Sequence, residues 1–164
     1  MKHVLLALLI VVCFSSSASA KLTRIYVIVN MDNAPVEILE FGKWGRAEAD
    51  EDRIASIAEY KNKTDRDIKA LAITMMYYDA FEEKEDGVKG ISTDLLKASE
   101  QNRSGWSIYG KPNFVKTAIA FVSAVRFLDG EVWRADIDEV IEAAGNMPGL
   151  SFLSEAKMLE IEKE

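Results

Sequence analysis

The side chains that could do chemistry in this sequence of 164 residues are few in kind. Its only histidine is His3 and its only cysteine is Cys13, both close to the N-terminus. What remains is carboxylate and aromatic: 27 acidic residues, and the three tryptophans Trp44, Trp106 and Trp133. Carboxylates can work in pairs as general acid and base, and flat indole rings can stack on sugar faces. Both kinds of site are therefore candidates.

The N-terminal residues 1–20 have the pattern of a cleaved export signal. A basic start is followed by an apolar run at residues 4–14, and residues 18–20 provide a small-x-small cleavage site. The pattern predicts cleavage between Ala20 and Lys21. The apolar run is too short to span a bilayer, so no stable membrane insertion is expected after cleavage.

Cleavage would remove both His3 and Cys13 from the chain. The mature protein would then have no disulfide, no Ser-His or Cys-His nucleophile pair and no ordinary zinc site. A lipid anchor on Cys13 is the alternative. It is disfavoured because Val12 stands where a bacterial lipobox has a small residue.

The absence of cysteine from the mature chain favours a bacterial source, since small secreted eukaryotic domains are often held together by disulfides. The predicted location is periplasmic or extracellular. On that interpretation the sequons at Asn62 and Asn102 carry no sugar. In a eukaryotic source, both would be candidate glycosylation sites.

The chain is acidic, with a formal net charge of −7. A negative surface disfavours nucleic acid and anionic lipid as partners. The acids of residues 48–52 lack the alternate spacing and the glycine of a calcium loop, so neither a metal nor another cofactor is expected. The partner is expected to be an envelope protein or a glycan.

The stretch at residues 54–81 predicts the centre of an antiparallel β-domain. Two apolar runs flank the polar residues 62–67, whose Asx and hydroxyl side chains favour a turn. The second run is rich in β-branched and aromatic residues, which favour a strand. At residues 68–81 it is long for one strand, so a bulge or bend is expected within it.

Shorter alternating runs predict further strands at residues 23–29, 36–41, 87–96 and 105–109. A last hairpin is predicted at residues 117–135, with Asp129-Gly130 as a two-residue type I′ turn. That turn would place Arg126 opposite Trp133, in an ordinary cross-strand pair or, less favoured, at a ligand site.

Residues 136–145 predict the one clear helix, with Asp136 as N-cap, Glu139 in a capping box and Gly145 at the end. Its apolar stripe is expected to close one end of the domain. We therefore predict a mainly all-β protein, an immunoglobulin-like antiparallel β-sandwich with one short C-terminal helix. Its parts would be a signal peptide at 1–20, the sandwich at 21–149, and a tail or short helix at 150–164.

The run Met75-Met76-Tyr77-Tyr78-Asp79, after a polar turn and a long apolar strand, resembles the motif of FxLYD-type bacterial immunoglobulin-like domains. Tyr78 and Asp79 match the motif, whereas Met75 stands in place of Phe and Tyr77 in place of Leu. The resemblance extends over residues 53–136. It implies a β-sandwich of unknown or adhesive function, with no catalytic residue.

Three functions compete. The favoured one is a secreted or periplasmic non-enzymatic module that binds a protein, because sandwich edges can accept a further strand. The alternative is a glycan-binding domain that uses Trp44, Trp106 and Trp133. Less favoured is a carboxylate-dependent hydrolase, since Asp79, the acid within the motif, fits a structural turn better than a catalytic role.

Overall fold

Two β-sheets pack face to face in a computed structural model of the protein, which describes residues 24–43, 53–109, 115–147, 150, 152 and 153. The strands are β1 (Ile25–Val29), β2 (Val36–Lys43), β3 (Arg53–Asn62), β4 (Ile68–Tyr78), β5 (Lys84–Ser92), β6 (Gln101–Tyr109), β7 (Thr117–Phe127) and β8 (Val132–Arg134), and the helix is α1 (Ile137–Gly145).

The larger sheet has the strand order β1-β7-β4-β5, with β8 also paired to β7, and the smaller sheet has the order β2-β3-β6. The chain crosses between the sheets after β1, β3, β5 and β6, as in immunoglobulin-like sandwiches. One pair, β1 with β7, is parallel, and the others are antiparallel. The predicted all-β sandwich with one short helix is confirmed.

The main core lies between the two sheets. Ile73, Met75 and Tyr77 alternate along the inner face of β4, and Ile38 and Tyr60 meet them from the smaller sheet. This follows from the two-residue period of a strand, which sends every second side chain to the same face. The intervening positions of β4 therefore face away from the sandwich.

A second core covers part of that outer face of the larger sheet. Met76 and Tyr78 of β4 pack there with Phe121 of β7, under Val140 and Ala144 of α1. The helix thus lies on a sheet face. The expectation that its apolar stripe closes one end of the domain is therefore wrong. The physical reason is that β4 is apolar on both faces, and a two-sided strand needs cover on both sides.

The residues after α1 also contribute to this second core. Leu150 and Leu153 are buried, and the ring of Phe152 makes an edge contact with Tyr78 at 5.2 Å between centroids. The buried cluster therefore extends past position 149, where the sequence placed the end of the sandwich domain. Residues 154–164, the rest of the predicted tail, lie outside the described residues.

The β7–β8 hairpin differs from its prediction by one position. Val125 pairs with Trp133 and Arg126 with Val132, so Trp133 is not opposite Arg126. The loop has three residues, 128–130, closed by a bond from the Phe127 amide to Glu131 and with only Gly130 at positive φ. A type I turn followed by a glycine bulge explains the shift, because a type I′ turn needs two residues at positive φ.

Two strands start earlier than their sequences predict. β5 begins at Lys84 rather than 87, and β6 begins at Gln101 rather than 105. In both, the missed residues are charged or polar, which the hydrophobic pattern assigns to loops. An edge strand with one solvated face can use such residues, since the hydrogen bonds of the ladder are made by the backbone.

Candidate functional site

The tryptophans were the predicted ligand-binding residues, and the structure places two of them against the core. The Trp106 ring is half-buried between the sheets, where a Cβ added to Gly90 would lie only 2.5 Å from it. Its Nε1 donates a long hydrogen bond of 3.5 Å to the Ile91 carbonyl. This ring therefore fills the space above a glycine that has no side chain to occupy it.

Trp133 is also half-buried, and it touches both the main core and the second core. Trp44 lies outside the described residues, as do Ala20 and Lys21 at the predicted cleavage site. The structure brings Trp106 and Trp133 to no common surface: one sits over β5, and the other on β8 beside β7. The packing of both rings is the usual structural use of tryptophan in a sandwich.

Asp79, the acid considered for catalysis, holds the turn between β4 and β5. Its Oδ1 accepts hydrogen bonds from the amides of Phe81 at 2.7 Å and Glu83 at 2.9 Å. Its own amide donates to the Glu83 carbonyl. A carboxylate that accepts from the amide two residues later forms an Asx turn, and this supports the structural interpretation of Asp79.

The sequon residue Asn62 is the centre of a closed polar cluster at one end of the sandwich, with 0% of its surface exposed. Its Nδ2 donates to the carbonyls of Arg66 at 2.7 Å and Lys97 at 3.0 Å. Its Oδ1 accepts from the amide and hydroxyl of Thr64 at 2.9 and 2.8 Å. The folded protein has no room for a sugar on this nitrogen. Asn102, by contrast, is half-buried on β6.

Arg66, in the turn after Asn62, reaches the β7–β8 turn at the same end. Its Nη2 lies 2.6 Å from Asp129 and 2.8 Å from Glu131, and its guanidinium stacks 3.8 Å from the centre of the Phe127 ring. These carboxylates raise the pKa of Arg66. The pKa of Asp129 is lowered, mainly by the hydrogen bond that its carboxylate accepts from the Glu131 amide and next by the hydrogen bond from the Arg66 side chain. The pairs are solvent-exposed, so they position the turns more than they stabilise the fold.

Acidic and amide side chains surround a shallow cavity of about 420 Å³ between the β1–β2 turn and α1. Within it, Asn33 Nδ2 donates to Glu139 Oε2 at 2.6 Å, so Glu139 ties the helix to this turn. Asp136 is the N-cap, as predicted, and its carboxylate accepts from the Asp138 amide. The predicted capping box is not formed among the described residues, because the Glu139 carboxylate bonds to Asn33 and not to the Asp136 amide. In the part of the chain with described coordinates, no group of three acids, histidines or cysteines could hold a metal ion.

The edges of the two sheets differ in how they are protected. β2 is interrupted by a register shift between Ile38 and Glu40, and the β4–β5 ladder shifts at Tyr77 and Tyr78. On the remaining side, β1 and β8 are short strands of five and three residues. Bulges and short length are the usual ways to prevent an edge from pairing with another strand.

β6 has neither protection. It pairs with β3 over nine consecutive positions without a register shift, and no described strand pairs with its other side. Its sequence QNRSGWSIY contains one charged residue, Arg103, whose Nη2 lies 3.9 Å from Glu40 across the sheet. Residues 101–104 were missed in the sequence because they are polar. The alternate burial of Asn102, Ser104 and Trp106 follows the two-residue period of a strand, but no apolar residue at 101–104 shows that period in the sequence.

No protein-family model and no curated protein sequence match the chain. It is similar in structure to a hypothetical protein from Peptoclostridium difficile 630, with 12% identity, a TM-score of 0.49, and coverage of 66% of this chain and 90% of that one. A DUF1425 family member from Shewanella sp. pv-4 has 11% identity and a TM-score of 0.39, covering 53% and 75%. At these identities the likenesses carry nothing about function.

A search for membrane-spanning helices among the residues that the structure describes gives a negative result. None of the helical residues there forms a segment long and apolar enough to cross a bilayer.

Proposed function

We propose that this protein is exported and acts as a non-enzymatic module that binds a partner protein along the open edge of its smaller sheet. The predicted export signal at residues 1–20 supports the first half of the proposal. The second half depends on one observation: β6 is a long, regular edge strand without the features that normally prevent strand addition.

Strand addition suits this edge for a physical reason. An incoming extended segment would form main-chain hydrogen bonds along β6, and its alternate side chains would set the specificity. The exposed side chains of Gln101, Arg103 and Ser107 lie along the same face of the strand. They are small or uncharged apart from Arg103, so a neighbouring strand meets little bulk and little charge there.

The competing functions have less support. Stacking on a glycan needs an open tryptophan face, and the rings of Trp106 and Trp133 pack against the core. Hydrolysis by paired carboxylates needs a free acid, and the Asp79 carboxylate accepts two backbone hydrogen bonds. These observations leave the open edge as the better-supported surface.

The resemblance to FxLYD-type domains remains part of the proposal. Met75 and Tyr77 fill the main core, Tyr78 fills the second core, and Asp79 holds the following turn. The core positions require apolar bulk more than a particular residue. A divergent member of that family could therefore carry Met and Tyr in place of Phe and Leu.

The test is site-specific photo-crosslinking in the native cells. A crosslinking residue at Ser107, exposed on β6, is compared with one at Leu39, exposed on the bulged strand β2. We expect Ser107 to capture one dominant protein, identified by mass spectrometry, and Leu39 to capture much less of it. Equal capture at the two positions, or none at Ser107, would refute binding along this edge.

A pair of substitutions provides the matched control. Gln101→Lys with Ser107→Lys adds charge to the open edge and should reduce capture by a crosslinker at Arg103, because charged edge strands resist pairing. Leu39→Lys places a lysine on the bulged strand β2 and should leave that capture unchanged. Thermal unfolding of both variants shows whether the fold is intact.

A further inference from the structure

A cavity of about 570 Å³ opens on the outer face of the larger sheet, beside β5 and the start of α1. It exists because α1 covers only part of this face. Met76 and Tyr78 of β4 lie in the core beneath the helix, whereas Thr74 lies on the same face but in the cavity. The volume falls within the range of roughly 300–1,000 Å³ that is usual for small-molecule sites.

The lining of this cavity contains a buried hydroxyl without a partner among the described residues. Thr74 is only 5% exposed, and its hydroxyl makes no hydrogen bond to any residue that the structure describes. Ser123 also lines the cavity, and its hydroxyl donates only a long bond of 3.4 Å to the Ala72 carbonyl. Because buried polar groups are normally paired, such groups in a cavity indicate a place for a ligand atom.

Three cations line the same cavity: Lys84 and Lys89 from β5, and Arg134 from β8. None of the three is within 4.0 Å of a carboxylate in the described ranges, and no described acid lines the cavity. The nearby acid Asp136 is occupied as the N-cap of α1. Three unpaired cations around one cavity, on a chain of net charge −7, are a local reversal of the overall charge.

Apolar side chains complete the lining. Phe121 is nearly fully buried, and Ile137 is half-buried at the first turn of α1. A ligand that meets all of these surfaces needs an apolar body and a negatively charged head. An aliphatic or aromatic carboxylate has both parts, and its oxygens can accept from lysine, arginine and a threonine hydroxyl at once.

We propose that this cavity binds a small organic carboxylate, with its head at Lys89, Arg134 and the Thr74 hydroxyl and its apolar body against Phe121 and Ile137. The site uses the outer face of the larger sheet and is separate from the open edge of the smaller sheet. The two proposals therefore stand or fall independently.

The test is isothermal titration of the purified protein with 3-phenylpropionate and hexanoate, and with their neutral amides as matched ligands. We expect saturable one-to-one binding of at least one acid, about tenfold or more tighter than its amide, because the amide lacks the charge that the cations recognise. No saturable binding of either acid at millimolar concentration would overturn the proposal, and so would equal binding of acid and amide.

Substitutions then locate the site. Lys89→Gln and Arg134→Gln should each weaken binding of the acid by about tenfold, and Thr74→Val, which keeps the side-chain shape, should weaken it by a smaller factor. Lys97→Gln, an exposed lysine in the loop after β5, is the charge-matched control and should have no effect. An equal loss of affinity with Lys97→Gln would mean that the acid binds by general charge attraction, and it would refute the cavity as the binding site.

Discussion

Two groups of polar side chains in this protein differ in whether the fold satisfies them. At the end of the sandwich near the β3–β4 turn, Asn62 is fully buried, and both atoms of its amide are used by backbone or hydroxyl partners. On the outer face of the larger sheet, Thr74 is almost as buried but has no partner among the described residues. The first group holds loops together, and the second is available to a ligand.

This difference in hydrogen bonding separates structural from functional polar residues in this fold. Burial alone does not separate them, because both side chains are buried. The hydrogen-bond partners do, since a satisfied group contributes to stability whereas an unsatisfied one costs free energy until something binds it. Three stability measurements test this distinction.

The largest effect is expected at Asn62. The substitution Asn62→Ala leaves the Thr64 amide without its partner. It also removes one of two hydrogen bonds from each of the carbonyls of Arg66 and Lys97, which keep the Thr64 hydroxyl and the Glu100 amide as donors. We expect urea unfolding to show a loss of about 3–4 kcal/mol, since one buried unsatisfied amide costs about 1–3 kcal/mol and each of the two lost hydrogen bonds about 0.5–1.5 kcal/mol. A loss below about 1 kcal/mol would mean that water replaces the amide easily and that the cluster is not closed.

Asn62→Asp is the matched control for this variant. It retains an oxygen that can accept from Thr64 but replaces the donor with a second oxygen facing two carbonyls. The substitution should destabilise the protein at least as much as alanine does at neutral pH, because a buried carboxylate would face other acceptors.

A second effect is expected at Tyr78, which lies on the same strand face as Thr74 but beneath α1. Burial raises the pKa of Tyr78 to about 12, whereas an unfolded tyrosine has a pKa of about 10. The folded state therefore holds this proton more tightly, and its contribution is complete below pH 10 and is lost as the pH rises from about 10 to 12. The shift is equivalent to about 2–3 kcal/mol.

Urea unfolding of the wild type and Tyr78→Phe at a series of alkaline pH values checks this effect. The wild type should lose more stability than the variant across that window, and the difference isolates Tyr78 from the other titrating groups. Near neutral pH the two proteins should be similar, because the hydroxyl donates to no described atom except the Met76 sulfur, at 3.8 Å. If the stability of both proteins fell equally with pH, the pKa of Tyr78 would not be raised, which would mean that water reaches this ring beneath the helix.

The smallest effect, and one of opposite sign, is expected at Thr74. Replacing an unpaired buried hydroxyl by a methyl group of similar shape removes a desolvation cost, so Thr74→Val should stabilise the free protein by roughly 0.5–1 kcal/mol. Urea unfolding without added ligand is the measurement. A clear loss of stability would reveal a hydrogen bond to this hydroxyl and would remove the contrast with Asn62.

Much of the fold could be predicted because it depends on local patterns. The alternation along β4, the Asx turn after Asn62 and the helix that begins after Asp136 each have a physical cause within a few neighbouring residues. The bulges expected in the long strand are also present, as register shifts between β4 and β7. Local chemistry was sufficient for these elements.

The candidate sites could not be predicted in the same way. Trp106 and Trp133 were candidate ligand-binding residues because of their type, but whether a ring is free depends on residues distant in sequence, such as Gly90 beneath Trp106. The cavity joins Thr74, Lys89 and Arg134 from three different strands. No spacing in the sequence connects them.

The all-β class, the turn after Asn62 and the N-cap of the helix follow from the sequence, because side-chain periodicity, Asx turns and capping depend on residues a few positions apart. The tertiary structure decided where the helix packs, which edge of the sandwich stays open, and which buried polar group lacks a partner. Those outcomes depend on pairing and burial between segments far apart in the chain. Only the folded arrangement of the two sheets brings those segments together.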